Sequence, residues 1–269
     1  MIVKEDSTLM EYLLKSYSRK HVKNYLKFKE VSVNGENISQ FDYPLHQGDK
    51  VEITKNNLNT NLDIIYEDDE IIVINKPHGL LSVETDNRKD KTAYSYVSDY
   101  LHRKNEKAYT IHRLDRETSG VLLFAKTNKM KALLQNNWND IVVDREYLAI
   151  VEGIMPKKQD RIINYLKENK AQKVYVSDEG KKCITSYKVL KQNKHTSLLE
   201  VNIETGRKNQ IRATLADLKH PIVGDKKYGS TNNSLKRLGL HASKLSYKHP
   251  INHKLYSFEA KAEKEFKIK

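Results

Sequence analysis

The sequence predicts an α+β protein in two parts: a small N-terminal α+β domain, and a larger domain built on a mixed, largely antiparallel sheet. Two observations predict the larger domain. Strand patterns outnumber helix patterns beyond residue 63, and the connections between them are too short for repeated helical crossovers, which argues against a doubly wound sheet. The third observation is a break in pattern. Residues 1–54 read as two helices and a short ribbon, and residues 55–62, KNNLNTNL, are polar and without period, which predicts a linker before a domain at 63–269. At 269 residues the chain is long enough for one sizeable core or for a small domain joined to a larger one.

Taken in order, residues 8–29 carry two helical patterns. The first places Leu9, Tyr12, Leu13 and Ser16 together, and the second, capped by Ser18, buries Val22, Tyr25 and Leu26. Opposite that second apolar face, Lys20, Lys23 and Lys27 recur at i, i+3 and i+7, flanked by Arg19 and Lys29, and no acid occurs between Tyr12 and Lys29. Such a stripe can follow a phosphate backbone, or it can simply be a solvated face. Val31 and Val33 alternate before an Asn34-Gly35 hairpin signal, and the ribbon returns through Tyr43, Leu45 and Gly48-Asp49 to Val51 and Ile53.

In the second part, Ile64 to Tyr66 and Ile71 to Ile74 flank the acidic turn Glu67 to Glu70, predicting a hairpin that ends at Asn75-Lys76-Pro77-His78-Gly79. Residues 84–92 read as a loop. A helix over 91–103 places Ala93, Val97, Tyr100 and Leu101 on one face, and another over 129–138 turns Met130, Leu133, Leu134 and Trp138 inward. Strands are predicted at 121–124, 147–151, 173–176, 185–190 and 197–203, and a helix after Arg207 carries Ile211, Thr214, Leu215 and Leu218.

Charge narrows the class of partner. Lysine and arginine number 48 against 35 acids, a formal net charge of +13, while apolar residues reach 38%, enough to fold. An excess of that size points to a polyanion, with RNA or DNA the commonest, against the alternative of a lysine-rich solvated surface. The single cysteine, Cys183, excludes an intrachain disulfide and reads as a small buried residue. No segment approaches the length of a membrane span and the N-terminus lacks a signal-peptide pattern, so a cytoplasmic protein is expected. His249 and His253 have helical spacing, but Pro250 interrupts it, and no cysteine pair exists, so no metal site is expected. Glu152 and Glu204 read as ordinary strand-end residues.

Chemistry concentrates at 111–126, IHRLDRETSGVLLFAK, where Asp115 lies between Arg113 and Arg116 in a turn feeding an apolar strand. Either Asp115 and Thr118 hydrogen-bond local backbone and the arginines are solvated, or a carboxylate is held ionised at the mouth of a sheet. Two further stretches are placed for chemistry. Tyr147 begins a strand, although sixteen tyrosines make any one of them a weak signal. Arg207 and Arg212 bracket a helix start, which favours phosphate or carboxylate binding, although by itself either residue reads first as a solvated arginine.

Six blocks in order then resemble pseudouridine synthases of the RluA family: NKPHGLLSV at 75–83, HRLDRETSG at 112–120, REYLAIVEG at 145–153, TGRKNQIR at 205–212, HPIVGDKKYG at 220–229 and RLGLHA at 237–242. The resemblance spans roughly residues 63 to 260. It implies the pseudouridine synthase fold, with Asp115 as the catalytic aspartate, Tyr147 as the aromatic beside the uracil and Arg212 as the ion-pair partner of Asp115. Arg113 is implied to occupy the space left by a flipped nucleotide. The sequence departs from the commoner pattern at Asn209 and Thr214, where histidines are frequent, and these departures bear on substrate detail. Residues 1–54 resemble the small RNA-binding module named after ribosomal small-subunit protein four, through YSRKHVKNYL, VSVNG and the GDKVEI run.

The reaction implied is isomerisation of uridine to pseudouridine in rRNA or tRNA. It is redox-neutral, needs no group donor, and agrees with the absence of any cofactor motif. The expected partner is RNA, bound through Arg113, Arg207 and the Arg19, Lys20, Lys23, Lys27 stripe, by a monomer that needs no obligate protein partner. The rivals are a non-catalytic RNA-binding or ribosome-associated factor on the same fold, and an RNA-cleaving enzyme using His112, for which no second acid–base group is apparent in the sequence.

Overall fold

The computed structural model describes residues 1–27, 30–53, 62–84, 91–264 and 266–268, with the side chains of Lys20, Asn24 and Lys27 left aside. The chain forms two compact units, Met1–Thr60 and Asn61–Lys269. The expected linker lies outside the described residues except for Leu62, as do residues 85–90 of the expected loop and Lys29 of the basic stripe.

The first unit runs β1 (Ser7–Thr8), α1 (Leu9–Leu14), α2 (Arg19–Lys27), β2 (Val31–Val33), β3 (Glu36–Asn37), β4 (Pro44–Leu45) and β5 (Val51–Ile53). A capping box starts α1: the Thr8 hydroxyl accepts the Glu11 N–H, and the Glu11 carboxylate accepts the Thr8 N–H at 3.0 Å. Ser18 accepts the His21 N–H at 3.4 Å at the start of α2, as the sequence predicts. Helix α1 ends at Leu14, short of Ser16, which the pattern had placed on it. Asn34 and Gly35 both take positive φ, 52° and 90°, the type I′ geometry that turns β2 into β3. Asn34 also accepts the Lys50 N–H at 2.9 Å and donates to Asp49 at 2.8 Å, tying this turn to the next. Leu9, Leu13, Val22, Leu26, Val31, Val33, Leu45 and Val51 form the unit's own core.

The second unit is one eleven-stranded sheet with three α-helices and a short 3-10 helix, Lys226–Tyr228, among its described residues. Its elements are β6 (Asp63–Glu67), β7 (Ile71–Lys76), α3 (Ala93–His102), β8 (Tyr109–Thr110), β9 (Ser119–Ala125), α4 (Asn128–Ile141), β10 (Val142–Glu152), β11 (Gln159–Glu168), β12 (Val174–Ser177), β13 (Lys181–Gln192), β14 (Thr196–Ile203), α5 (Gln210–Asp217), β15 (Leu240–Lys248) and β16 (Leu255–Glu259). Strands lie in the order β12-β11-β13-β14-β10-β15-β9-β7-β6, with β16 on β15 and β8 on β9. All pairings are antiparallel except β15 with β9. The α+β class with a mixed, largely antiparallel sheet is therefore as expected.

The inward faces of α3 (Ala93, Val97, Leu101) and α4 (Met130, Leu134) are those the 3.6-residue period marks. Strands β11, β15 and β16 are not apparent from pattern alone. In β11, Ile163 and Tyr165 face outward while Asn164 lies on the side toward Cys183 and Thr214. In β15 the polar His241 and Ser246 are buried, so apolar alternation is absent from both strands. Cys183 is fully buried, as expected.

One rung of the sheet positions the site. Gly120 of β9 pairs with Ala242 of β15, Ala242 with Tyr147 of β10, and Tyr147 with Val201 of β14. A Cβ on Gly120 would stand 2.1 Å from the Ala242 carbonyl oxygen, and its φ is +116°, so only glycine permits this approach. The turn that precedes β9 is thereby brought over the middle of β10, which begins at Val142 rather than at Tyr147 as the pattern predicts, because its first residues alternate too weakly to read as strand and are fixed by pairing with β15.

Candidate active site

That turn holds Asp115, and its backbone is clamped by the segment following β7. The Ser82 hydroxyl donates to the Leu114 carbonyl at 2.7 Å and accepts the Leu114 N–H at 3.0 Å. Lys76, fully buried, donates to the carbonyls of Pro77, Leu80 and Arg116 at 3.0, 2.7 and 3.1 Å, and Arg116 Nε donates to the Gly79 carbonyl at 3.0 Å. Three carbonyls match the three N–H donors of an ammonium. Burial pushes the Lys76 amine down to about 7, against the opposing pull of Glu117 and Asp115. The NKPHGLLSV block therefore acts as the mould of the HRLD turn, a role the sequence does not reveal.

Within the turn the Thr118 N–H donates to the Asp115 carbonyl at 3.1 Å, so local hydrogen bonding of this stretch is real. The Asp115 side chain is nevertheless open, 32% exposed, and its carboxylate meets Arg212 Nη1 at 3.4 Å. Arg212, in the first turn of α5, is held mainly by another acid. It forks onto Asp225, Nε to Oδ2 at 2.7 Å and Nη2 to Oδ1 at 2.8 Å, and Asp225 is 2% exposed. Asn209 Oδ1 accepts from Arg212 Nη1 at 3.0 Å, and the Tyr228 ring lies 5.1 Å from the guanidinium carbon. Burial opposes the charge on Arg212, but the hydrogen bonds and charge of Asp225, with Asp115 adding to them, outweigh it and hold the guanidinium firmly protonated.

The ion pair expected between Arg212 and Asp115 is thus the looser half of a triad whose rigid half is Asp225. Neither Asp225 nor Tyr228 was singled out in the sequence, because a lone aspartate followed by Lys226 and Lys227 reads as solvated surface. Asn209, assigned to substrate detail, instead touches this arginine. Gln210 explains the rest of its block. It is buried, accepts from Thr205 Oγ1 and the Arg207 N–H, and donates to the Ile184 carbonyl and Thr185 Oγ1, pinning the start of α5 to β13.

Asp115, Tyr147 and Arg212 line one cleft of about 940 Å³, walled also by Arg113, Arg145 and Arg207. Burial, opposed by Arg145 and aided by Asp115, pushes the Tyr147 phenol up to about 12, so it is neutral near pH 7. Arg113 and Arg207 are exposed at the rim, with Arg207 Nε donating to the Lys182 carbonyl at 3.3 Å. His112 lies in the wall. It accepts the Leu123 N–H at Nε2 at 3.1 Å and stacks on Trp138 with ring centroids 5.0 Å apart, and burial, reinforced by Arg145, pushes it down to about 4. Arg19 and Lys23 are exposed on α2 of the first unit, and the side chains of Lys20 and Lys27 lie outside the described residues.

Glu152 and Glu204 do more than end strands. Glu152 accepts from Ser230 Oγ and the Thr231 and Asn232 N–H groups at 2.6–2.8 Å, and the Glu204 carboxylate receives the fork of Arg161 at 2.9 and 3.0 Å. His249 Nε2 contacts Glu70 at 2.9 Å, and among the described residues no group of three or more His, Cys, Asp or Glu side chains is disposed to hold a metal. Among them, too, no helix is long and apolar enough to cross a membrane.

With this geometry in place, comparison with known proteins shows the family. Residues 70–217 match the family RNA pseudouridylate synthase. The chain is 31% identical over 257 residues to an uncharacterized RNA pseudouridine synthase, YhcT, of Bacillus subtilis, covering 90% of this chain and 85% of that protein. It is 32% identical over 276 residues to ribosomal large subunit pseudouridine synthase D of Xylella fastidiosa, covering 91% and 81%. With tRNA pseudouridine synthase C of Haemophilus ducreyi it shares 35% over 210 residues, covering 70% and 86%. The solved structure of human RNA pseudouridylate synthase domain containing 1 has the same fold, with a TM-score of 0.63 over 75% of this chain and 84% of that one at 22% identity.

Proposed function

The chain belongs to the RNA pseudouridylate synthase family and is an RNA isomerase, and from that premise we propose that Asp115 is the carboxylate that starts the isomerisation, with Tyr147 and Arg212 completing the site. In the reaction the N1–C1′ glycosidic bond of uridine breaks, the uracil turns, and C5 bonds to C1′ before losing its proton. One observation carries the reading: an accessible carboxylate opens into a basic cleft beside Tyr147, within 3.4 Å of a guanidinium that a second, buried aspartate holds in place. Attack by the carboxylate on sugar or pyrimidine, and removal of a sugar proton, all require that same open, oriented oxygen. The neutral Tyr147 ring can stack on the base, and its hydroxyl is the group this reading assigns to help remove the C5 proton once C5 is bonded to C1′. Arg113, exposed at the rim, suits the space vacated when the nucleotide is extruded at a cost of about a few kcal/mol.

Residues 1–54 form the RNA-holding domain in this reading, 55–62 the linker and 63–269 the catalytic domain. Exposed Arg19 and Lys23 on α2 support that role for the first domain, and Arg207 supports phosphate contact at the cleft. The substrate is a structured rRNA or tRNA, the two classes named among the relatives, modified in the cytoplasm by a monomer acting without an obligate protein partner. Two observations bear on the rivals. His112 is neutral at Nε2 and already accepts a backbone N–H there, which disfavours RNA cleavage through it. The presence of Asp115, Tyr147 and Arg212 around one cleft disfavours a purely binding factor.

Pseudouridine mapping of total RNA from cells with and without the gene identifies the substrate uridine. On that RNA, Asp115→Asn should abolish product formation while binding survives, and activity retained in the variant would overturn the assignment.

A further inference from the structure

Among the described residues, Arg145 is the one guanidinium in the cleft wall that neither the proposed chemistry nor the fold accounts for. It precedes Tyr147 by two on β10, so both side chains leave the same face of the strand, roughly 6–7 Å apart at their Cα atoms. Its Nη2 donates to the Glu204 carbonyl, but the Glu204 carboxylate is turned away and taken by Arg161. No carboxylate pairs with Arg145 among the described residues, and its Nε is shut from solvent with no acceptor there. Arg212, which lines the same cleft, is by contrast fully matched by Asp225.

An uncompensated, partly buried guanidinium destabilises the free protein, and burial does press its charge form downward. Yet the chain makes room for it. Gly206 does not have a positive φ that would demand glycine, and a Cβ there would lie 2.9 Å from Arg145 Nη1. A side chain at 206 would crowd the guanidinium and push its free end aside. Such a group is complementary to an anion that arrives with the substrate.

We propose that Arg145 binds a backbone phosphate of the RNA immediately flanking the flipped uridine, supplying the charge-assisted contact that seats the nucleotide over Tyr147. This rests on the assignment of Asp115 and Tyr147 as the site. The phosphate completes the pairing of Arg145 only when RNA is bound, so the stability lost by leaving the arginine unmatched in the free protein returns as affinity at one phosphate, next to the reacting nucleotide.

The test uses the full chain carrying Asp115→Asn, so that substrate is held without turnover, and a synthetic stem-loop bearing the mapped uridine. Methylphosphonate, which is uncharged, replaces one phosphate at a time. Neutralising one flanking phosphate should weaken binding about tenfold when Arg145 is present, and hardly at all in Arg145→Gln, while substitutions elsewhere affect both proteins equally. Arg145→Lys should retain the sensitivity at that phosphate with lower affinity, because an ammonium keeps the charge but loses the fork. That variant carries the test if the glutamine variant fails to fold. Identical methylphosphonate profiles with and without the arginine would overturn the proposal, as would a Lys variant insensitive at every flanking phosphate. Failure of the Asp115 assignment is distinguished separately, since it would appear as product formed by the Asp115→Asn protein.

Discussion

Asp225 shows what a single buried carboxylate does for a site it does not enter. Its side chain is 1% exposed, and both of its oxygens accept from Arg212, which leaves one guanidinium nitrogen, Nη1, facing Asp115 and Asn209. Positioning of that nitrogen is therefore delegated to the buried fork, and the Asp115 carboxylate is left free of a tight ion pair. Asp225→Asn keeps the size of the side chain and removes its charge. The turnover rate should fall about 100-fold, the scale of a small misplacement in a catalytic group, and stability by about 3 kcal/mol as the fork is broken. Single-turnover assays and urea unfolding measure the two effects, and an unchanged rate would mean that Asn209 and Asp115 hold Arg212 unaided.

At the scale of elements, the site depends on the parallel pairing of β9 with β15, the single such pairing among the described strands. It is short, His241 with Ser119 and Ala242 with Gly120, and side chains reinforce it. His241 Nδ1 lies 2.8 Å from Ser119 Oγ, Arg237 Nη2 donates to that same hydroxyl at 2.6 Å, and His241 Nε2 meets the Ala260 carbonyl at 2.9 Å. Gly120 permits the strands to touch. Gly120→Ala combines a positive φ with a backbone collision and should cost about 3 kcal/mol, together with loss of activity as the Asp115 turn shifts. Gly79→Ala is the control. Its φ is also positive, +78°, but nothing lies within 4 Å of the added Cβ, so about 1 kcal/mol is expected. Thermal melts of the two variants compare collision with conformation, and equal shifts would remove the close approach from the explanation.

For the whole molecule, the net charge of +13 becomes informative through where the charges stand. In the second unit they wall the cleft, and in the first Arg19 and Lys23 are exposed on α2. If that helix follows phosphates, the double variant Arg19→Glu, Lys23→Glu should bind RNA more weakly and flatten the plot of log affinity against log salt by about one to two units, with catalysis on saturating RNA unchanged. An unaltered slope would make α2 a solvated face.

The division of labour between sequence and tertiary structure follows from the range of the forces involved. Periodicity and local turn chemistry determined α2, α3, α4 and α5, the hairpin at Asn34-Gly35, and the strands with clean apolar runs, because each is decided by neighbours along the chain. The ordered blocks, and with them the family, were also legible, and they supply the three residues proposed for the site, Asp115, Tyr147 and Arg212. Tertiary structure alone decided β11 and β15, whose inward faces carry Asn164, His241 and Ser246, polar groups that become satisfied only when distant partners arrive. It alone decided that Arg212 belongs first to Asp225, that Lys76 and Ser82 mould the Asp115 turn, and that Arg145 finds no carboxylate among the described residues. Hydrogen bonds and charge pairs between residues far apart in sequence leave no period to read, so their partners are known only once the sheet has set the distances.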